Sequence, residues 1–186
     1  MIVFDTETTG LPEKGLDWEK DFDKFPHIAS IAWIDVGDDG SKENHYLITP
    51  DGYEIPEEAT KIHGISTEQA KKEGCNEKLV LKSFLFDCYF SKRLIAHNIY
   101  FDISIIKANC LRQGIDKDMM CEILDKEKRF DTMMKAMPVM GVSKWPKLSE
   151  MYQFFFEKAF DDQHTAIGDV KATLKCYHEI IKRNGN

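Results

Sequence analysis

Met1-Ile2-Val3-Phe4-Asp5-Thr6-Glu7-Thr8 opens the chain, an apolar run that ends in two acids one residue apart. The run reads as a buried strand. Residues i and i+2 of a strand share a face, so Asp5 and Glu7 project together from its C-terminal end. Two carboxylates that close repel unless a cation lies between them, and a divalent metal is the usual answer. A solvated acidic turn gives the same pattern for an isolated Asp-x-Glu. The pair therefore gains meaning only if other elements end in carboxylates too.

The 186 residues suffice for one domain with a full core, expected to span residues 1–186. Hydrophobic residues at 42% and charged residues at 31% fit a soluble globular chain. No apolar stretch approaches the ~20 residues that cross a bilayer, so no membrane partner is expected. The chain begins on a strand and not on a charged leader, and a cytoplasmic location is the expectation. Its five cysteines are odd in number and never form C-x-x-C, which favours reduced thiols over a zinc site or disulfides. A net charge of −7 argues against a protein that coats nucleic acid. It leaves room for an enzyme that bridges phosphates to its carboxylates through metal ions.

Outward from the first strand, Gly10-Leu11-Pro12 breaks the chain, and a polar stretch runs to Phe25-Pro26. Residues 27–36 and 45–48 read as strands of a hairpin, with Gly37-Asp38-Asp39-Gly40 as the turn. Pro56 starts a short helix to His63, and Ser66 caps another with Gln69 at the capping-box position. Residues 76–91 form an amphipathic helix on Leu79, Val80, Phe84, Leu85, Cys88 and Tyr89. Leu94-Ile95-Ala96 is a short strand feeding a helix over 101–113, which Gly114 ends. Arg129-Phe130-Asp131-Thr132 is one more strand running into a helical turn, and 148–156 and 166–183 are helices. The expected fold class is α/β, a mixed sheet flanked by helices with its ligand crevice at the strand C-termini.

Two further acids stand at helix starts. Asp102 follows a strand in Ala96-His97-Asn98-Ile99-Tyr100-Phe101-Asp102, and Asp169 lies in His164-Thr165-Ala166-Ile167-Gly168-Asp169. Capping and the helix dipole account for either acid alone equally well. With Asp5 and Glu7 they make four carboxylates able to meet at one end of the sheet, and such an oxygen-rich cluster suits Mg²⁺ or Mn²⁺. His164 falls in the loop before the last helix, where it is either a surface histidine or a base beside the cluster.

The segments Asp5-Thr6-Glu7-Thr8-Thr9-Gly10-Leu11, His97-Asn98-Ile99-Tyr100-Phe101-Asp102 and His164-Thr165-Ala166-Ile167-Gly168-Asp169 resemble the three exonuclease motifs of the DEDD superfamily. More narrowly they resemble its histidine-containing, DnaQ-like branch of 3′–5′ exonucleases. His63-Gly64-Ile65-Ser66 and Asp131-Thr132 are similar to that branch's accessory segments. The branch with tyrosine for histidine places it four residues before the last Asp, where Thr165 stands. The resemblance covers nearly the whole chain.

It implies an RNase H-like fold with a five-stranded sheet and two divalent cations held by Asp5, Glu7, Asp102 and Asp169, with Asp5 bridging. It also implies His164 as general base, and hydrolysis of single-stranded 3′ ends of DNA or RNA to nucleoside 5′-monophosphates. DNA is the first expectation, an exoribonuclease the second, and a non-catalytic nucleic-acid-binding or polymerase-partner module the reading from another class. A polymerase or repair partner stays open.

By the same resemblance Thr8, Thr9 and Leu11 meet the terminal nucleotide, and His63 and Asn98 reach it or orient a carboxylate. Leu11 is a wedge against the last base or ordinary packing of the turn. Phe101 either stacks a base or packs beneath the site. Lys144, Trp145 and Lys147 form a basic–aromatic cluster, read as a solvated loop ahead of a path for a single strand, and Phe154-Phe155-Phe156 reads as core.

Overall fold

The computed structural model describes residues 1–38 and 40–183, so Asp39 of the expected hairpin turn lies outside the described residues. Five strands form one sheet: β1 Ile2–Thr8, β2 Ile28–Gly37, β3 Gly40–Leu47, β4 Leu94–Ala96 and β5 Arg129–Asp131. Their order is β3-β2-β1-β4-β5. β1 runs antiparallel to β2 and parallel to β4, and β4 runs parallel to β5. The sheet is therefore mixed, and β1, β4 and β5 all point their C-terminal ends the same way.

The helices of the described residues are α1 Glu57–His63, α2 Thr67–Glu73, α3 Glu77–Tyr89, α4 Ile99–Arg112, α5 Cys121–Leu124, α6 Thr132–Met140, α7 Leu148–Phe156 and α8 Ala166–Arg183. None of them is long and apolar enough to cross a membrane.

Alternation along the strands sorts the core into two layers. Ile2 and Phe4 of β1 and Ile31 and Trp33 of β2 face α3 and α4, where they meet Phe84, Ile103 and Ile106. Val3, Ala32, Ile34 and Ile95 face the other way, onto Val170, Cys176 and Ile180 of α8 and Met151 of α7. Each layer removes large aliphatic side chains from water on one face of the sheet, at about 25 cal/mol per Å² of apolar surface.

Several boundaries differ from the sequence expectation. β1 is not among them: it runs through the acidic residues to Thr8 as expected, with Asp5 and Glu7 paired to Ala32 and Ser30 of β2. β3 begins at Gly40 instead of residue 45, since an edge strand needs no apolar face to be recruited by its neighbour. On α3, Val80, Phe84, Leu85 and Cys88 are buried as expected, but Leu79 and Tyr89 are exposed and Leu81 is buried in addition. The charged connector before β5 folds into short helical turns that place Met120 and Ile123 in the core. The helical turn after β5 is the whole of α6, with Pro138 inside it. Ser66 caps α2 as expected, its Oγ accepting the Gln69 amide at 3.1 Å, but the Gln69 side chain bonds Glu73 rather than closing the box. All five cysteines are free thiols, with Cys88, Cys110 and Cys176 buried.

Candidate active site

The side chains of β1 take their positions from the same alternation that builds the core. Val3, Asp5 and Glu7 share a face, and Val3 packs in the layer made with α8. Asp5 and Glu7 therefore look toward the first turn of α8, where Asp169 lies. One ligand oxygen from each of Asp5, Glu7 and Asp169 falls within 4.8 Å of the others.

Thr6 points to the opposite face, toward α4. β4 pairs with β1 only at Ile2 and Val3, so the edge of β1 beyond that point has no strand beside it. Asp102, in the first turn of α4, fills the gap. Its Oδ1 accepts the Thr6 backbone N–H at 3.0 Å and the Thr6 hydroxyl at 2.8 Å. Asp102 thus reaches the acidic end of β1 from the other side of the sheet, 2% exposed and close enough to Asp5 to raise its pKa.

His164 stands exposed in the loop before α8 with a φ of 63°. Thr165 makes that loop turn sharply into the helix. Its Oγ1 accepts the Gly168 amide at 3.1 Å and donates to the Asp162 carbonyl at 2.7 Å. Gly168 is required by closeness: a Cβ there would stand 2.2 Å from the Asp162 carbonyl oxygen. The residue types of His164-Thr165-Ala166-Ile167-Gly168-Asp169 so include a cap and a gap for the loop, with one acid facing inward.

The carboxylates are under strain from one another. Burial, then Asp102, Asp169 and Glu7, hold the Asp5 carboxyl well above the usual range. Burial together with Asp169 and Asp102 pushes Glu7 up to about 8. Burial pushes Asp102 to about 7 against the two hydrogen bonds from Thr6. Asp169 is raised to about 6 by burial, while His164 pulls it down. Oxygen donors crowded this closely, and unwilling to ionise together, fit a hard divalent cation, which would restore the charged form of all of them. No buried lysine or arginine pairs with Asp5, Glu7 or Asp169 among the described residues.

Two clefts open beside the acids, and Leu11 lines both. It projects from the turn 82% exposed. The first cleft, about 320 Å³, runs along residues 6–11 of β1 and its turn to Ile62, His63 and the half-buried Phe101. The second, about 580 Å³, holds Asn98, Trp145, His164 and Asp169 in its wall. Thr8 and Thr9 use their hydroxyls within the turn: Thr8 donates to the Gly10 carbonyl at 2.6 Å, and Thr9 accepts the His27 amide at 2.9 Å. Buried His63 accepts the Ile65 amide on Nδ1 at 3.1 Å, which puts its proton on Nε2. Asn98 is exposed and left-handed, its amide held by Asp131 Oδ1 at 3.1 Å.

Sequence reasoning assigned no task to Thr6, His97 or Gly168, although all three lie inside the quoted motifs. His97 is the one with the widest reach. Burial lowers its pKa to about 4, so the ring is neutral. Its Nε2 lies 3.0 Å from the Pro146 carbonyl oxygen and its Nδ1 3.2 Å from the Thr132 hydroxyl. The loop before α7 is thereby tied to the end of β4.

Known proteins resemble this chain in sequence and fold. The DNA polymerase III subunit epsilon of Rickettsia conorii is 26% identical over 183 residues, which is 97% of this chain and 73% of that one. The 3′-5′ exonuclease DinG of Bacillus subtilis is 29% identical over 186 residues, but the chain spans only 18% of its length. Escherichia coli exonuclease I, in complex with a dT13 oligonucleotide, superposes with a TM-score of 0.76 at 19% identity. That alignment covers 99% of this chain and 41% of exonuclease I, so the chain spans about two-fifths of that molecule. The mixed five-stranded sheet and its helices are the RNase H-like fold of those structures. The Exonuclease family model matches residues 2–177, from the first residue of β1 to the second half of α8, and the chain belongs to that family.

Proposed function

We propose that this chain is a metal-dependent 3′–5′ exonuclease that hydrolyses phosphodiester bonds from the 3′ end of single-stranded nucleic acid, DNA in the first instance, and releases nucleoside 5′-monophosphates. The observation that carries the reading is the meeting of Asp5, Glu7 and Asp169 within 4.8 Å at the end of β1, with His164 on the adjoining loop. DNA is favoured because the relative at 26% identity is a subunit of a DNA polymerase, and the superposed exonuclease I holds a dT13 oligonucleotide. The exonuclease domain is taken as residues 1–186, working in the cytoplasm, with a polymerase or repair protein as its macromolecular partner.

Asp5, Glu7, Asp102 and Asp169 would hold two divalent cations, Mg²⁺ or Mn²⁺. When bound, these cations make a water acidic enough to attack and stabilise charge on the leaving 3′ oxygen. The protein's own contributions are separable from that. His164, exposed at the rim and electrostatically coupled to Asp169, takes the proton of the attacking water, assistance worth about 10²–10⁴-fold. Thr6 fixes the carboxylate of Asp102 so that the acids are in place before substrate arrives. Leu11 stands between the two clefts, where it separates the terminal base from the one behind it. Phe101, Thr8, Thr9 and His63 shape the terminal cleft, and Asn98 borders the other.

The test is a cation-dependent degradation assay on matched single-stranded DNA, duplex DNA and RNA, each with a free or blocked 3′ end. Cleavage of single-stranded DNA from the free 3′ end, lost in Asp5→Ala and reduced at least a hundredfold in His164→Ala, is expected. Near-wild-type turnover in either variant refutes the assignment, and faster cleavage of RNA than of DNA moves the chain to the exoribonucleases.

A further inference from the structure

Trp145 is 70% exposed at the wall of the 580 Å³ cleft that also holds His164 and Asp169. A tryptophan left this open gives little to the core, and among the described residues it stacks on no other ring. The backbone that follows it, by contrast, is held at two successive residues. His97 grips the Pro146 carbonyl at 3.0 Å, and Glu150 accepts both the Lys147 amide and the Lys144 ammonium at 2.9 Å. An apolar plate is thus presented beside the acids on a loop anchored just after it, with Lys147 also lining the cleft. Leu11 also lines this cleft, and it lines the terminal one as well.

We infer that Trp145 is the stacking platform for the base behind the terminal nucleotide of a single-stranded 3′ end, with Lys147 beside the connecting phosphate. The inference rests on the exonuclease reading and adds to it a second base site. Only an unpaired base can lie flat on the indole, so the platform selects single strands over duplex ends. Because every base has a π face, it does so with little regard to sequence. The −7 charge of the whole molecule makes such a local, largely uncharged contact the more valuable for holding a polyanion.

Two substrates separate this platform from the chemistry. A short oligothymidylate occupies both clefts, whereas the p-nitrophenyl ester of thymidine 5′-monophosphate offers a terminal nucleotide and no second base. Trp145→Ala is expected to lower kcat/KM on the oligonucleotide relative to the ester by roughly 10- to 100-fold, chiefly through KM, the range set by loss of one stacked base. Trp145→Phe should restore most of that ratio. An equal loss on both substrates, or no loss on either, overturns the inference.

Tryptophan fluorescence gives a reading that needs no turnover. Trp33 is buried and Trp18 half-buried beneath Lys107, so quenching by the oligonucleotide in the absence of divalent cations is expected from Trp145. Quenching that persists in Trp145→Phe overturns the platform. A wild-type protein that cleaves neither substrate sinks the exonuclease reading instead, and the quench then still decides whether the base stacks.

Discussion

Neighbouring side chains on β1 serve opposite faces of the sheet, and Thr6 shows why this matters. Asp5 and Glu7 turn toward Asp169, while Thr6 turns away and holds Asp102 through both its amide and its hydroxyl. Thr6→Val keeps the amide bond and the shape but removes the hydroxyl. Its expected cost is about 1.5–3 kcal/mol of stability, the value of a hydrogen bond to a charged group. Turnover should fall roughly tenfold as Asp102 loosens and its carboxyl climbs further above the ordinary range. Denaturant unfolding and turnover on one preparation check it; lost stability with unchanged turnover would mean that Asp102 does not act at the site. The acids themselves were legible in the sequence because i and i+2 on a strand share a face. Thr6 was not, since its partner lies 96 residues away across a gap that exists only because β4 is short.

Short elements with abrupt ends build the site. β4 stops at Ala96, the chain turns through left-handed Asn98, and α4 starts close enough to deliver Asp102 to β1. At the other acid, α8 begins at Ala166 under a loop that crosses its first turn at Gly168. Gly168→Ala puts a methyl 2.2 Å from the Asp162 carbonyl, so the loop must lift. About 1–3 kcal/mol of destabilisation is expected from overpacking of this kind. The larger effect should be on turnover, more than tenfold down, because His164 sits on the loop that lifts. A melting curve and a turnover assay test the two parts separately, and normal turnover with lowered stability would detach His164 from the chemistry. Helix and strand positions were legible wherever apolar periodicity ran to the element's end. The first half of β3, the connector helices and the full length of α6 were not, because edge pairing, a few buried residues such as Met120 and Ile123, and a helix tolerating Pro138 leave no periodic trace.

At the scale of the whole molecule, residues 9–11 line the terminal cleft, and the segment that follows them is fastened at its far end by α4. Arg112 donates to the carbonyls of Phe22 and Phe25, both at 2.7 Å, and faces His27 Nδ1 at 3.2 Å. Behind this clamp Glu77 is buried at the start of α3, one oxygen accepting from Gln113 at 2.6 Å and the other without a partner. Burial raises its carboxyl to about 7 in spite of Gln113 and Arg112. An acid whose folded pKa lies above its unfolded value keeps its proton longer in the native state. Its stabilising effect is therefore complete below about pH 4.5 and is lost as pH rises to about 7. His27 and His97 act with the opposite sign. Each is lowered by burial to about 4, so each removes stability as pH falls from 6.5 toward 4. A wild-type pH profile sums these trends together with the acids of the site, and the difference between wild type and Glu77→Gln isolates one of them. That variant preserves the shape and the bond from Gln113 but cannot ionise. It should match wild type at pH 4.5 and exceed it at pH 8 by on the order of 3 kcal/mol. Urea unfolding at the two pH values in the presence of EDTA measures the difference with the cation sites silent. A constant offset between the variants at both pH values would show that Glu77 is ionised throughout and that Arg112, not the proton, balances its charge.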